Sequence, residues 1–111
     1  MISSSDDTID LGAWAASRSL LTRDQGSALR GQVLQRLGTS RSVILDLTQV
    51  DALSPSFADE LFGGLETEMG ADFKRRVRIS CPKPEWKRLI ASALGHRRRE
   101  AARSKPRVSV A

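Results

Sequence analysis

The chain has 111 residues, of which 40% are hydrophobic and 28% charged, with a formal net charge of +5 and one cysteine. This length fits one domain with one modest core, and no stretch approaches the ~18 consecutive apolar residues of a membrane-spanning helix. The N-terminal segment lacks the basic start and apolar run of a secretory signal, and a lone cysteine excludes an internal disulfide. The sequence therefore predicts a single cytoplasmic domain without membrane association.

The N-terminal part of the chain carries only weak patterns. Residues 1–7 are rich in Ser and Asp, and we expect them to be disordered. A short first strand is predicted at residues 8–11. The stretch AWAASRSLL that follows is ambiguous between a strand, a turn and a short helix.

A clear helix is predicted over residues 23–37. Thr22 and Gln25 have the spacing of a capping box, in which the side chain of each residue bonds the backbone N–H of the other. Leucine and valine then recur at helical spacing. Gly38 is expected to end the helix in the left-handed conformation.

The segment SVILDL is predicted to be a central parallel strand that is covered on both faces, because its apolar residues are consecutive. A helix follows, ended by Gly70 and interrupted in composition by Gly63 and Gly64. Those two glycines indicate a packing partner close enough to require small residues. The apolar face of this helix is predicted to contain Ala58, Leu61, Phe62, Leu65 and Met69.

The last third of the chain is predicted to form a strand at RVRIS and a helix that begins at Pro84 and ends at Gly95. We expect the domain to span residues 8–95 and residues 96–111 to be a basic tail. The alternation of strands and helices predicts an α/β fold with a mostly parallel sheet of about 3–4 strands, flanked by about three helices. So small an open sheet leaves an edge at which a homo-oligomer could form.

Charge is distributed unevenly along the chain. Residues 1–72 carry five Arg against eleven Asp and Glu, a net charge of −6, whereas residues 73–111 carry thirteen Lys and Arg against two Glu, a net charge of +11. This asymmetry indicates an acidic partner or a nucleic acid, unless the basic part is only a solvated helix and tail. The candidate contacts to nucleic acid are Arg75, Arg76, Arg97, Arg98 and Arg99.

The segment VILDLTQVDALSPSFADEL resembles the central segment of the STAS-like families, which share a domain with anti-sigma factor antagonists. Their pattern is a hydrophobic strand ending in Asp, then a Val, then an Asp-Ser-Ser-Gly turn that begins a helix. The closer resemblance is to a STAS-like branch of unknown function, since FADE at residues 57–60 reproduces its helix start. LTR at residues 21–23 is similar to the Val-Ser-Arg that precedes its first helix.

The resemblance implies a small regulatory domain that binds a protein, with a partner kinase of the GHKL ATPase type that phosphorylates a serine in the turn and so breaks the complex. By position, Ser54 stands for the turn Asp, Pro55 for the first Ser, Ser56 for the second Ser, which is the usual phosphoacceptor, and Phe57 for the Gly. Ser56 is therefore the candidate phosphoacceptor. The candidate partner-binding residues are Ser54, Phe57, Asp59 and Glu60.

The residues of the turn leave two interpretations open. A phosphate on Ser56 would add about −1.5 to −2 charges and would lie beside Asp59 and Glu60, which follow it by three and four residues on the helix. Such a cluster would repel an acidic or apolar partner. Ser56 could instead be only the N-cap of the helix, and Ser54 with Pro55 at the first helical position fits that role equally well.

No arrangement of residues indicates catalysis, so the sequence predicts a non-enzymatic protein without a metal or cofactor. Asp59 and Glu60 are adjacent and diverge on a helix, and Asp46, at the end of a strand, is expected to cap a turn. The single His96 and the single Cys81 are too few for a metal site.

Overall fold

The computed structural model describes residues 6–15 and 17–104 of the chain, with the side chains as far as Leu94. We predicted disorder for residues 1–7, but Asp6 and Asp7 form the start of a strand. Residues 1–5 and the last residues of the predicted tail, 105–111, lie outside the described residues. In chain order, the described residues form β1 (Asp6–Asp10), α1 (Leu11–Trp14), β2 (Ser19–Leu20), α2 (Arg23–Leu37), β3 (Ser42–Asp46), β4 (Ala52–Leu53), α3 (Pro55–Ala58), a π-helical turn (Asp59–Gly63), α4 (Gly64–Met69), α5 (Asp72–Arg76), β5 (Val77–Ser80) and α6 (Pro84–Ser104).

The main sheet has three parallel strands in the order β1-β3-β5, so the predicted α/β fold with a parallel sheet and β3 at its centre is confirmed. A second, two-stranded parallel sheet joins β2 to β4. The predicted first strand begins at Asp6, two residues before the expected start. The ambiguous AWAASRSLL stretch contributes the end of α1 and the whole of β2.

The two faces of the main sheet differ in burial, so the prediction that β3 is covered on both faces was wrong. Val43 and Leu45 of β3 are fully buried on the face against which the helices pack. On the other face Ile44 is only half-buried, and its register partners Thr8 and Arg78 are exposed. Three consecutive apolar residues therefore do not distinguish a strand with two covered faces from one with a single covered face.

Helix α2 has the predicted start and a different end. The capping box of Thr22 and Gln25 is present in both directions. Gly38, however, has a φ of −71° and is not left-handed. The guanidinium of Arg76 donates hydrogen bonds to the carbonyl oxygens of Leu37 at 2.6 Å, Ser40 at 3.0 Å and Arg41 at 3.0 Å. An arginine distant in sequence thus satisfies the carbonyls at the end of this helix.

Helix α3, the π-helical turn and α4 are continuous, and we refer to them together as the central helix (residues 55–69). The predicted apolar face is confirmed: Ala58, Leu61, Phe62 and Leu65 are fully buried, and Met69 packs against the same core. The π-helical turn contacts both α2 and α6, so the central helix lies between these two helices. Gly70, with a φ of +60°, follows its last residue, as predicted.

Helix α6 is longer than the sequence predicts. It begins at Pro84, as expected, but passes through Gly95 and ends at Ser104. A single glycine costs a helix only about 1 kcal/mol relative to alanine, and the residues that follow Gly95 include several strong helix formers. Within the described part of the chain, no helix is both long enough and apolar enough to cross a membrane.

Candidate functional site

Ser54 caps the start of the central helix, which decides between the two capping schemes. Its Oγ accepts a hydrogen bond from the backbone N–H of Phe57 at 3.1 Å and donates one to the carbonyl oxygen of Leu21 at 2.7 Å. The backbone N–H of Ser54 donates to the carbonyl oxygen of Leu20 at 3.0 Å. Pro55 occupies the first helical position. One hydroxyl therefore caps the central helix and holds its start against the segment that precedes α2.

Ser56 lies in the first turn of the central helix and does not cap it. Its side chain is half-buried, and within the described residues its hydroxyl makes no hydrogen bond. Asp59 and Glu60 follow by three and four residues, so they flank the same side of the helix one turn further on. Because side chains on a helix lean toward its N-terminus, the two carboxylates lean toward the turn that contains Ser56.

Arg23, the first residue of α2, bridges these two carboxylates. Its Nη1 lies 3.0 Å from Asp59 Oδ2 and 3.2 Å from Glu60 Oε1. The hydrogen bond that Arg23 donates to the Asp59 carboxylate, with a smaller contribution from the one to Glu60, raises the pKa of Arg23 above its ordinary value. The Arg23 side chain remains 56% exposed. A solvent-accessible guanidinium thus lies beside the turn that contains Ser56.

A second arginine of α2 contacts the same segment from a more buried position. Arg30 Nη1 donates to the backbone carbonyl oxygen of Glu60 at 2.6 Å and to its carboxylate at 3.0 Å. In the π-helical turn, the N–H of Gly64 donates to the carbonyl oxygens of Asp59 and Leu61, not to that of Glu60. The irregular turn therefore gives Arg30 a backbone acceptor in the middle of a helix.

Two glycines allow this close approach of α2 to the central helix. A Cβ on Gly64 would lie 2.9 Å from Arg30 Cδ and closer still to its Nη1. A Cβ on Gly26 of α2 would lie 2.8 Å from Glu60 Cβ and 3.1 Å from the Phe57 carbonyl oxygen. The prediction that small residues in the central helix admit a close packing partner is confirmed for Gly64, and the partner is the Arg30 side chain.

The predicted partner-binding residues have different placements. Phe57 is fully buried in the core, which contradicts its prediction as a surface contact; its ring anchors the start of the helix. The side chains of Asp59 and Glu60 are 16% and 21% exposed and are engaged with the arginines of α2. Ser54 is half-buried in its capping role. The surface at this turn is therefore built from Pro55, Ser56, Arg23 and the outer edges of the two carboxylates.

Sequence reasoning missed Arg23 and Arg30 as parts of the site. They are seven residues apart in α2, which places them on one side of that helix. That spacing was the available signal, because two cations on one side of a helix match the adjacent carboxylates at residues 59 and 60. Asp46, as expected, caps a turn: its Oδ1 accepts hydrogen bonds from the N–H of Thr48 at 2.9 Å and from its hydroxyl at 2.7 Å.

The candidate nucleic-acid contacts do not form one free surface. Arg76 is engaged with the end of α2, so its prediction as a nucleic-acid contact is contradicted. Arg75 is paired with Asp72 and is 73% exposed. The side chains of Arg97, Arg98, Arg99 and His96 lie outside the described ones. Among the described residues, no group of His, Cys, Asp and Glu side chains is arranged to hold a metal ion.

A family model described as a STAS-like domain of unknown function (DUF4325) matches residues 25–82, which include all of α2 except its first two residues, and also β3, the central helix and β5. No curated protein and no solved structure matches the chain significantly. The matched region contains Ser54, Ser56, Arg30 and both carboxylates of the candidate site.

Proposed function

Because the chain belongs to this family of STAS-like domains, we propose that it is a non-catalytic regulatory module that binds a protein partner at the start of the central helix. Phosphorylation of Ser56 by a partner kinase of the GHKL ATPase type would switch that binding. The observation that carries the proposal is that Ser54, and not Ser56, is the N-cap of the central helix. Ser54 holds the helix, which leaves the Ser56 hydroxyl outside the capping hydrogen bonds.

The surface proposed to contact the partner consists of Pro55, Ser56, Arg23, Asp59 and Glu60, and we call it the switch surface. Pro55 is exposed and Ser56 half-buried at the helix start. Arg23 covers the carboxylates of Asp59 and Glu60, so the unmodified surface presents a guanidinium beside a small hydroxyl. A partner with an acidic or neutral polar surface would be compatible with this arrangement.

A phosphate on Ser56 would change this surface through Arg23. The phosphate would bring about −1.5 to −2 charges to the turn toward which the carboxylates of Asp59 and Glu60 lean. Arg23 would then be shared among three anionic groups, and a guanidinium binds phosphate oxygens as well as it binds carboxylates. Arg30 could not compensate, because it is engaged with the Glu60 backbone. The switch surface would gain net negative charge, and its solvent-accessible guanidinium would be occupied by the phosphate.

The test is phosphorylation in a reconstituted system. The chain is incubated with ATP and a GHKL-type ATPase, and the modified residue is located by mass spectrometry. We expect one phosphate on Ser56. It should be absent from the Ser56→Ala variant and present in the control variant Ser27→Ala, which lacks a different exposed serine. Binding to that ATPase is then compared for Ser56→Asp and Ser56→Asn, which have nearly the same shape and differ in charge.

We expect Ser56→Asp to weaken binding and Ser56→Asn to preserve it. Equal binding of the two variants, with no phosphate on Ser56, would rule out the switch. Loss of binding in both variants would indicate that the partner contacts the serine directly and does not sense its charge.

The alternative function is nucleic-acid binding through the basic third of the chain. The exposed Arg75 and the charge of residues 73–111 support it, whereas the engagement of Arg76 weakens it. Binding through phosphate contacts is strongly salt-dependent. A titration with a short DNA duplex at low salt tests this alternative, and absence of binding there excludes it.

A further inference from the structure

The edge of the main sheet at β5 carries a second candidate surface, remote in sequence from Ser56. Strand β5 is the last of the three strands, and within the described residues it pairs only with β3. Beside it lies an apolar groove of about 250 Å³, lined by Ile79, Cys81, Lys87, Ile90, Ala91 and Leu94. The outer edge of the sheet thus adjoins a groove whose far wall is α6.

The two faces of this edge differ in chemistry. Ile79 points into the groove, toward α6, and is half-buried. Arg78, its neighbour in the strand, points to the open face of the sheet and is exposed. Successive side chains of a strand alternate between faces, so any strand added at this edge would face an apolar groove and a cation in alternation.

We propose that this edge binds an extended segment of a partner protein in which apolar and acidic residues alternate. The segment would add a strand to β5, with its apolar side chains in the groove and its acidic side chains beside Arg78. An apolar cavity of about 150 Å³ already holds a benzene molecule, so the groove has room for aliphatic side chains.

Charge complementarity selects an acidic segment over a second copy of this edge. Lys87 lines the groove, and Arg78 occupies the opposite face of the strand. In the register that pairs the Arg78 residues of two β5 strands, a second copy would bring like charges together, which is unfavourable across strands. The acidic side chains of such a segment would lie beside Arg78, and its backbone would pair with the edge of β5.

Cys81 makes the test direct, because it lines the groove and is the single cysteine of the chain. The full-length protein is treated with a thiol-reactive dye, alone and with two acetylated heptapeptides. One alternates glutamate with valine, and the other alternates lysine with valine. We expect the glutamate peptide to slow the modification of Cys81 several-fold and to bind about fivefold more tightly than the lysine peptide.

Two substitutions at exposed positions test separately the contribution of charge and the contribution of the apolar groove to peptide binding. Arg78→Glu should reverse the preference, so that the lysine peptide protects Cys81 better. Ala91→Trp should fill the groove and reduce protection by the glutamate peptide, while circular dichroism confirms that the helix content is unchanged. Both sites are exposed, so the variants should fold as the parent does.

Three results would overturn the proposal: no protection by either peptide, equal protection by both, or stronger protection by a short DNA duplex than by the glutamate peptide. The last would make the edge a nucleic-acid surface. None of these outcomes bears on phosphorylation of Ser56, so the two proposals fail independently.

Discussion

The junction between α2 and the central helix uses arginines differently from the edge formed by β5 and α6. At the junction, Arg23 and Arg30 are engaged with Asp59 and Glu60, and Arg30 also binds a backbone carbonyl. At the edge, Arg78 is exposed and Lys87 lines an apolar groove. Cations of the same kind therefore maintain a helix contact in one region and remain accessible in the other, and the difference depends on which residues the fold brings opposite them.

The largest loss of stability should follow substitution of Arg30, because its guanidinium binds both the backbone carbonyl and the carboxylate of Glu60. Arg30→Met keeps the length of the side chain and removes its donors, which leaves the Glu60 carboxylate and carbonyl without their partly buried partner. We expect the free energy of unfolding to fall by about 2–3 kcal/mol, measured by urea denaturation. Arg36→Met is the control, because Arg36 pairs with Asp7 at the surface and its loss should cost about 0–1 kcal/mol. Equal losses in the two variants would remove the distinction.

Gly64→Ala should cause the next largest change in the free energy of unfolding. Whether this substitution destabilises or stabilises the protein should depend on the presence of Arg30. The added Cβ would displace the Arg30 side chain from the central helix, and we expect a loss of about 1–2 kcal/mol. In an Arg30→Met background the methionine can move aside, because it makes no hydrogen bonds to Glu60. There the alanine should stabilise the protein by about 0.5–1 kcal/mol through its helix propensity. Additive effects in the double variant would contradict the assigned contact.

The two serines of the turn provide a matched pair of smaller effects. Ser54→Ala removes the N-cap and its bond to the Leu21 carbonyl, and should lower the unfolding free energy by about 1 kcal/mol. Ser56→Ala should change it by less than about 0.5 kcal/mol. Thermal denaturation of both variants checks this order. A larger loss of stability for Ser56→Ala than for Ser54→Ala would mean that Ser56 is the cap. That result would remove the main support for Ser56 as the phosphoacceptor.

The smallest effect is expected for Arg23→Gln, because this side chain is largely exposed. Its contacts with Asp59 and Glu60 should stabilise the protein slightly at low salt and hardly at all in about 1 M sodium chloride, where exposed ion pairs are screened. A melting-temperature difference between parent and variant that persists at high salt would show that Arg23 packs as a structural residue, like Arg30.

Local patterns in the sequence predicted those parts of the fold that local contacts determine. The capping box of Thr22 and Gln25 and the apolar face of the central helix depend on residues a few positions apart, and both are present as predicted. The end of α2 depends on Arg76, more than thirty residues away, so its own glycine was a poor guide. The capping serine needed knowledge of Leu21, whose carbonyl accepts from Ser54 across the turn.

The resemblance located the candidate site along the chain, but it did not identify the arginines that bind the carboxylates of the site. Ser56, Asp59 and Glu60 could be named from the sequence, but the arginines that bind the two carboxylates come from another helix. Phe57 was assigned to the surface because it belongs to the same tetrapeptide, although a phenylalanine at a helix start packs into a core wherever one is available. The open face of the sheet could not be inferred, because strand periodicity does not show which face receives the helices.

The π-helical turn at Asp59–Gly63 lies between α3 and α4, the two α-helical segments of the central helix. A hydrogen bond that spans five residues accommodates one more residue than a regular turn does. Upstream residues can therefore direct Ser56 and the carboxylates toward Arg23 while downstream residues keep Leu65 in the core. Deletion of a single residue within this turn would restore a uniform helix and rotate one segment by about 100° relative to the other. The positions of the proposed switch surface and of the buried face of this helix thus depend on one additional residue.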